Sequence, residues 1–269
     1  MTRTRTARIT IACAVAYILV MGLGNAIVHN FSHVSYGDTN YVRAMLPFLF
    51  LLAAGSLCCF LVRRKQLTPV SNERGRLPLF LLLFLPLVGM ALFYIFTNGE
   101  LSTAFLTPFV ATLLVGFAEE MMFRRILYMG LLREPGGQSI KGALLVSSVV
   151  FSLLHSVNVL AGSPFSNVLV QLVTTFVAGL FYALMYDYTR NIGLLIASHF
   201  LWDYLLLGGA ATKIPVFSVV ITMLNVAQFI IVIVFLVKRW KREKAMAHDT
   251  AQQAAAPRDH DSMNTTTGM

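Results

Sequence analysis

Charge is scarce in this chain. Only 12% of its 269 residues are Asp, Glu, Lys or Arg, about half the share of an ordinary soluble domain. A water-facing surface cannot be assembled from that supply. Cysteine is rarer still. Cys13, Cys58 and Cys59 all fall within apolar runs, show no metal-ligand spacing and read as packing or lipid-facing residues. The chain has no HExxH, and no serine or cysteine stands in an obvious nucleophile elbow. Neither zincin nor acyl-enzyme chemistry is therefore written in a local motif. No repeat of 20–50 residues stands out either.

What the chain has is apolar length, with 57% hydrophobic residues. A helix needs about 20 apolar residues to cross a hydrocarbon core of roughly 30 Å. Eight blocks approach that length: Ile9–Val28, Ala44–Val62, Leu77–Phe96, Thr103–Met122, Leu144–Gly162, Asn167–Met185, Ile192–Gly209 and Val216–Val237. The fifth and seventh are the least clean. The expected fold is all-α, a polytopic helical membrane protein with about eight transmembrane helices. Its connections are too short for a second domain, so residues 1–244 form one transmembrane domain. The first block exceeds the 7–15-residue core of a signal peptide and reads as an uncleaved helix.

The formal net charge of +9 would point to nucleic acid in a soluble protein. Here its distribution points to a membrane instead. With the N-terminus inside, every Lys and Arg except Arg43 and Lys213 falls in a cytoplasmic loop or tail, as the positive-inside rule requires. Arg124 and Arg125 are counted among them, at the end of the fourth block. The expectation is a multi-pass plasma-membrane protein with both termini cytoplasmic and no nucleic-acid partner. After Lys238–Lys244 the chain becomes polar and Ala-rich, and residues 245–269 are expected to be a disordered tail. His29 and His33, four apart with Asp38 nearby, have a spacing that could hold a metal. They read better as incidental residues of a polar outer loop.

Ionisable groups inside membrane spans are costly and usually functional. The set is short: Glu119, Glu120, His155, His199 and Asp203, with Arg124 and Arg125 beside it. Glu120 and Arg124 are i and i+4 on one helix face and can neutralise each other, which leaves Glu119 turned toward another neighbour. The bland alternative is that both glutamates mark a helix end while Arg124 snorkels. His199 and Asp203 are again i and i+4. His155 alone could be a packing residue.

Position strengthens the set. Glu119 lies 17 residues before Gly136 in the turn "EPGGQ", and His155 lies 19 after it, so an antiparallel hairpin brings them to one height. His199 lies eight residues after Asn191, roughly 12 Å in at 1.5 Å per residue. The expected site is shallow and near the cytoplasmic face. A carboxylate beside imidazoles in a low-dielectric cavity suits general-base activation of water, and a His/Asp pair can polarise a carbonyl or hold its oxyanion. The reaction class is hydrolysis of an acyl bond.

These residues resemble the CAAX protease and bacteriocin-processing family of intramembrane proteases (CPBP, also called Abi). Its motifs EExxxR, FxxxH and HxxxN/D are matched by "EEMMFR" at Glu119–Arg124, "FSLLH" at Phe151–His155 and "HFLWD" at His199–Asp203. The motifs stand in family order within a core of about 103–209. The short chain and small loops resemble bacterial members.

The resemblance implies an eight-span endopeptidase with its cavity open to the cytoplasm, cutting a peptide or a membrane protein. It implies Glu119 as the water-activating base and His155 as the residue that positions the water. His199 and Asp203 would form the oxyanion side, and Glu120 and Arg124 a brace. Asp203 stands where the eukaryotic prenyl-protein proteases resemble Asn, and an ionised Asp cannot donate to an oxyanion, so it is expected to orient His199 instead. Family members have been described as metalloproteases. Glu119, His155 and His199 are the candidate ligands for a divalent metal such as zinc. Direct activation by Glu119, with no cofactor, is the preferred expectation. The alternative class is a non-catalytic immunity or scaffold protein, or a small proton-coupled transporter on the same helices.

Overall fold

The computed structural model describes residues 3–38, 40–67, 75–100, 102–132 and 140–255, with side chains between residues 5 and 241 of that set. Among the described residues there is no strand. Eight helices follow one another: α1 (Arg3–Ser32), α2 (Tyr41–Arg63), α3 (Pro78–Asn98), α4 (Thr103–Leu132), α5 (Ile140–Ala161), α6 (Phe165–Thr189), α7 (Ile192–Leu207) and α8 (Pro215–Ala255). All but α7 are long and apolar enough to cross a membrane. α7 has 16 residues, about 24 Å at 1.5 Å per residue, and a short turn at Ala210–Lys213 follows it. The all-α polytopic expectation holds, with seven full-length candidates and one short apolar helix.

The helix ends are set locally. Ser102 caps α4 by accepting from the Phe105 amide at 3.3 Å, and Asn191 caps α7 by accepting from Leu194 at 3.2 Å, each satisfying an amide with no partner inside the helix. Gly162 closes α5 in the left-handed region at φ 79°, a conformation that glycine reaches without a Cβ clash.

α4 corrects the sequence reading. It does not stop at Met122 but continues to Leu132, with π-helical hydrogen bonding over Glu120–Tyr128. Arg124 and Arg125 are therefore inside the span, not cytoplasmic loop charges. Arg124 is 1% exposed and does not snorkel. Arg125 is held within the bundle, donating to the Leu67 carbonyl and the Tyr186 hydroxyl at 3.0 Å each. Charge alone suggested a helix end here, and the apolar environment that accommodates the charges comes from other helices. The turn 133–139, used to align Glu119 with His155, lies outside the described residues, as does the loop 68–74. α8 extends past Lys244 to Ala255, and residues 256–269 of the expected tail lie outside the described residues.

Successive helices alternate in direction, which gives the bundle two ends. One carries the first turn of α1, the end of α2 and the end of α6. There Arg76 donates its amide to the Tyr188 carbonyl at 2.8 Å. The other carries the 33–40 connection and the end of α5, where the Tyr36 amide donates to the Ala161 carbonyl at 2.8 Å. Tyr94 in α3 also donates its hydroxyl to the Gly208 carbonyl there, at 2.8 Å.

Two glycines set the spacing behind the site. A Cβ at Gly116 would stand 2.8 Å from the Phe200 amide nitrogen, and one at Gly179 would stand 3.0 Å from Ser148 Cα. Small residues at such crossings let membrane helices approach closely. They draw α4 onto α7 and α6 onto α5.

Candidate active site

Glu119 and Glu120 enter from the middle of α4, His155 from α5, and His199 and Asp203 from α7. Glu120 is 0% exposed and has a charged or polar partner beside each oxygen. Arg124 Nε lies 3.3 Å from Oε2, and His199 Nδ1 donates to Oε1 at 2.8 Å. The brace expected from the i, i+4 spacing is thus present, and it also grips the histidine of α7. The other ring nitrogen, His199 Nε2, stands 3.5 Å from Asp203 Oδ2 and 3.8 Å from Glu119 Oε2. One imidazole is surrounded by three carboxylates.

Aromatic rings fix this arrangement. Arg124 Cζ lies 4.0 Å from the centre of the Phe151 ring and 5.3 Å from that of Tyr182, within cation–π range. Tyr182 stacks on His199 with ring centres 5.3 Å apart. Phe151, the first residue of the FxxxH motif, also accepts through its carbonyl from His155 Nδ1 at 3.2 Å. A carbonyl can only accept, so Nδ1 carries the proton and a neutral ring keeps its lone pair on Nε2. Glu119 Oε2, Glu120 Oε2 and both terminal nitrogens of Arg124 have no hydrogen-bond partner among the described residues. Glu119 is 3% exposed yet borders a cavity of about 350 Å³, together with His155, His199 and Asp203.

The structure therefore brings Glu119, Glu120, Arg124, His199 and Asp203 into one cluster, with His155 on the wall of the same cavity. Arg125 is not part of it. Along α7, His199 lies eight residues from the cap Asn191. Glu119 is 16 residues from Thr103 and 13 from Leu132, some 20 Å or more from either end of α4 at 1.5 Å per residue. Among the described residues no group of three His, Cys, Asp or Glu is arranged to hold a metal ion. That covers the trio Glu119, His155 and His199 as well as the loop pair His29 and His33. His29 Nδ1 instead faces the Ser35 hydroxyl at 3.4 Å.

Several polar residues were missed because only ionisable side chains were weighed. Tyr182 is one of them, lying beside the Arg124 guanidinium and stacking on His199. A chain of neutral groups leads away from the cluster. Tyr41 donates to Asn25 at 2.6 Å, Asn25 donates to Asn158 at 3.2 Å, Asn158 donates to Gln171 at 2.9 Å, and Gln171 donates to the Tyr36 hydroxyl at 3.1 Å. Amides within apolar blocks were the available signal. Asp187 was also passed over. It accepts from Tyr128 at 2.7 Å and meets Arg239 at 3.3 Å and Arg190 at 3.8 Å, tying α4, α6 and α8 together.

Fold and site together define a polytopic α-helical membrane protein with a buried Glu–Arg–His–Asp centre open to an internal cavity. Residues 100–205 match the family model described as type II CAAX prenyl endopeptidase Rce1-like. All three motifs lie within that stretch, so the resemblance to CAAX-type proteases is shown there. The match supports CAAX-type intramembrane endopeptidase activity in general, acting on a peptide or protein substrate. No curated protein matches the chain.

Proposed function

We propose that the chain is an intramembrane endopeptidase in which Glu119 activates water for attack on a peptide bond of a peptide or membrane-associated protein. The observation that carries this reading is the asymmetry of the two glutamates. Glu120 is committed to Arg124 and His199. Glu119 borders the cavity and keeps only a 3.8 Å contact to His199.

In the proposed reaction a water lies between Glu119 and His155 Nε2. Glu119 takes one of its protons, and the water oxygen attacks the carbonyl carbon. The carbonyl oxygen gains the electron pair and is held by His199 Nε2–H, which Asp203 orients and Glu120 supports from Nδ1. The proton on Glu119 then passes to the amide nitrogen, the C–N bond breaks, and a carboxylic acid and an amine leave. Preorganised donors at the developing oxyanion and a positioned base are the usual sources of such rate enhancement. No step is routed through a metal.

The test is mass spectrometry of peptides released from membranes expressing the wild-type chain or Glu119→Gln, with and without a chelator. New peptide ends present in the wild type and absent in the variant support the reading. Identical profiles from two equally well-inserted proteins reject it. Loss of activity with chelator alone rejects the metal-free version.

A further inference from the structure

α5 changes character at the histidine that borders the cavity. It is α-helical over Ile140–Leu154 and 3-10 helical over the seven residues His155–Ala161. A 3-10 run longer than about four residues is uncommon, because its hydrogen bonds are poorly aligned. This one is supported from outside. Asn25 of α1 is 0% exposed. Its Nδ2 donates to the Val157 carbonyl at 3.0 Å and to Asn158 Oδ1 at 3.2 Å. Gly22, one turn earlier on α1, admits the close approach, since a Cβ there would stand 3.3 Å from Val157 Cγ1. The Tyr36 amide, donating to the Ala161 carbonyl, holds the far end of the run.

The tighter winding bears directly on His155. Residues i and i+3 eclipse in a 3-10 helix, so Asn158 stands in line with His155, and both border the cavity. In an α-helix the same pair would be about 60° apart. The hydrogen bond at His155 Nδ1 and the edge contact of its ring at 5.3 Å both come from Phe151, on the same helix. Those contacts turn with the helix and cannot fix its rotation. The grip of Asn25 on Val157 and Asn158 comes from another helix and can.

Asn25 is itself held. Tyr41 of α2 donates to its Oδ1 at 2.6 Å, which leaves Nδ2 to face α5. Asn158 passes the restraint on by donating to Gln171 of α6 at 2.9 Å. These are buried polar groups in an apolar span, where an unmet donor or acceptor is costly, so each bond constrains the next. Asn25 also lies outside residues 100–205, the stretch that matches the family model.

We propose that Asn25 is a positioning residue of the active site: its carboxamide holds the 3-10 turn of α5, and with it His155, at the rotation that borders the cavity alongside Glu119. The effect on catalysis rests on the endopeptidase reading, whereas the placement of His155 is measured without catalysis.

The full chain is labelled with ¹⁵N-histidine in lipid nanodiscs. The imidazole resonances of His155 and His199 are assigned from their loss in His155→Gln and His199→Gln. In Asn25→Leu the His155 resonances are expected to shift while those of His199 stay in place, because a ring nitrogen reports its own hydrogen bond. For a peptide identified from the cleavage experiment, kcat is expected to fall about tenfold to a hundredfold with KM within about threefold, as for a catalytic group moved by a fraction of an ångström to an ångström. Tyr41→Phe removes only the hydroxyl that holds Asn25 Oδ1 and carries the same test if Asn25→Leu fails to insert. It is expected to shift His155 in the same direction and to lower kcat about twofold to tenfold, the worth of one hydrogen bond. An unmoved His155, equal movement of His155 and His199, an unchanged kcat or a loss confined to KM overturns the proposal. A moved His155 with no peptide release even from the wild type retains the positioning and rejects the protease.

Discussion

The two ends of this bundle treat polar groups in opposite ways. Toward the first turn of α1 and the end of α6, charged groups are held by several partners each. Asp187 is shared by Tyr128, Arg190 and Arg239, and Arg125 bridges Leu67 and Tyr186. Toward the other end the polar groups are neutral amides and phenols around an open volume, and the two carboxylates nearest it, Glu119 and Asp203, keep only long contacts to His199 of 3.8 and 3.5 Å. The Glu120–Arg124–His199 brace divides the two. An ion pair that holds helices together must be satisfied, because an unpaired charge in low dielectric is costly. A group that must act on substrate has to remain incompletely satisfied. Partner count therefore separates scaffold from chemistry here better than residue type does, since Glu119 and Glu120 are the same amino acid one position apart.

The sharpest way to break that contrast is Glu120→Gln. It leaves the Arg124 charge buried without its partner and loosens His199. It is expected to abolish peptide release and to destabilise the bundle by about 3–5 kcal/mol, the usual effect of breaking a buried pair, read as a lower unfolding midpoint in detergent. Glu119→Gln is expected to lose release by about 10²–10⁴-fold, the range for removing a general base, while the unfolding midpoint stays within a degree or two. If both variants lose stability equally, the division between brace and base is wrong.

A third change tests the packing that joins them. Gly116→Ala places a methyl against the Phe200 backbone and should cost about 1–3 kcal/mol by overpacking. It should also lower release by separating Glu119 from His199. The smallest effect is expected from Asp187→Asn. Its pairs are partly exposed, so about 1 kcal/mol or less is at stake, and peptide release should stay within about twofold of wild type.

The comparison between expectation and structure follows the same line. Apolar length alone gave the helical spans, and i, i+4 spacing alone gave the Glu120–Arg124 and His199–Asp203 pairs, because both depend on local geometry. Arg124 and Arg125 misled for a related reason. Two arginines after an apolar run look like a span's end when only the chain is in view, whereas Phe151, Tyr182, Leu67 and Tyr186, far away in sequence, are what make their burial possible. Amides such as Gln171 and Gln228 were invisible because a single amide in an apolar block is unremarkable until it borders the same cavity as Glu119.

By itself, then, the sequence determined that this is an all-α membrane protein, which residues carry its charge and in what order its three motifs come. Those properties arise from composition and from neighbours along one helix. Only the tertiary structure decided that Glu120 grips His199 while Glu119 is left to the cavity, that the site lies in the middle of α4, and that the cavity wall reaches the first turn of α2. Each of these is a relation between side chains on different helices, fixed by close crossings such as that of Gly116 on Phe200, and no periodicity along the chain encodes it.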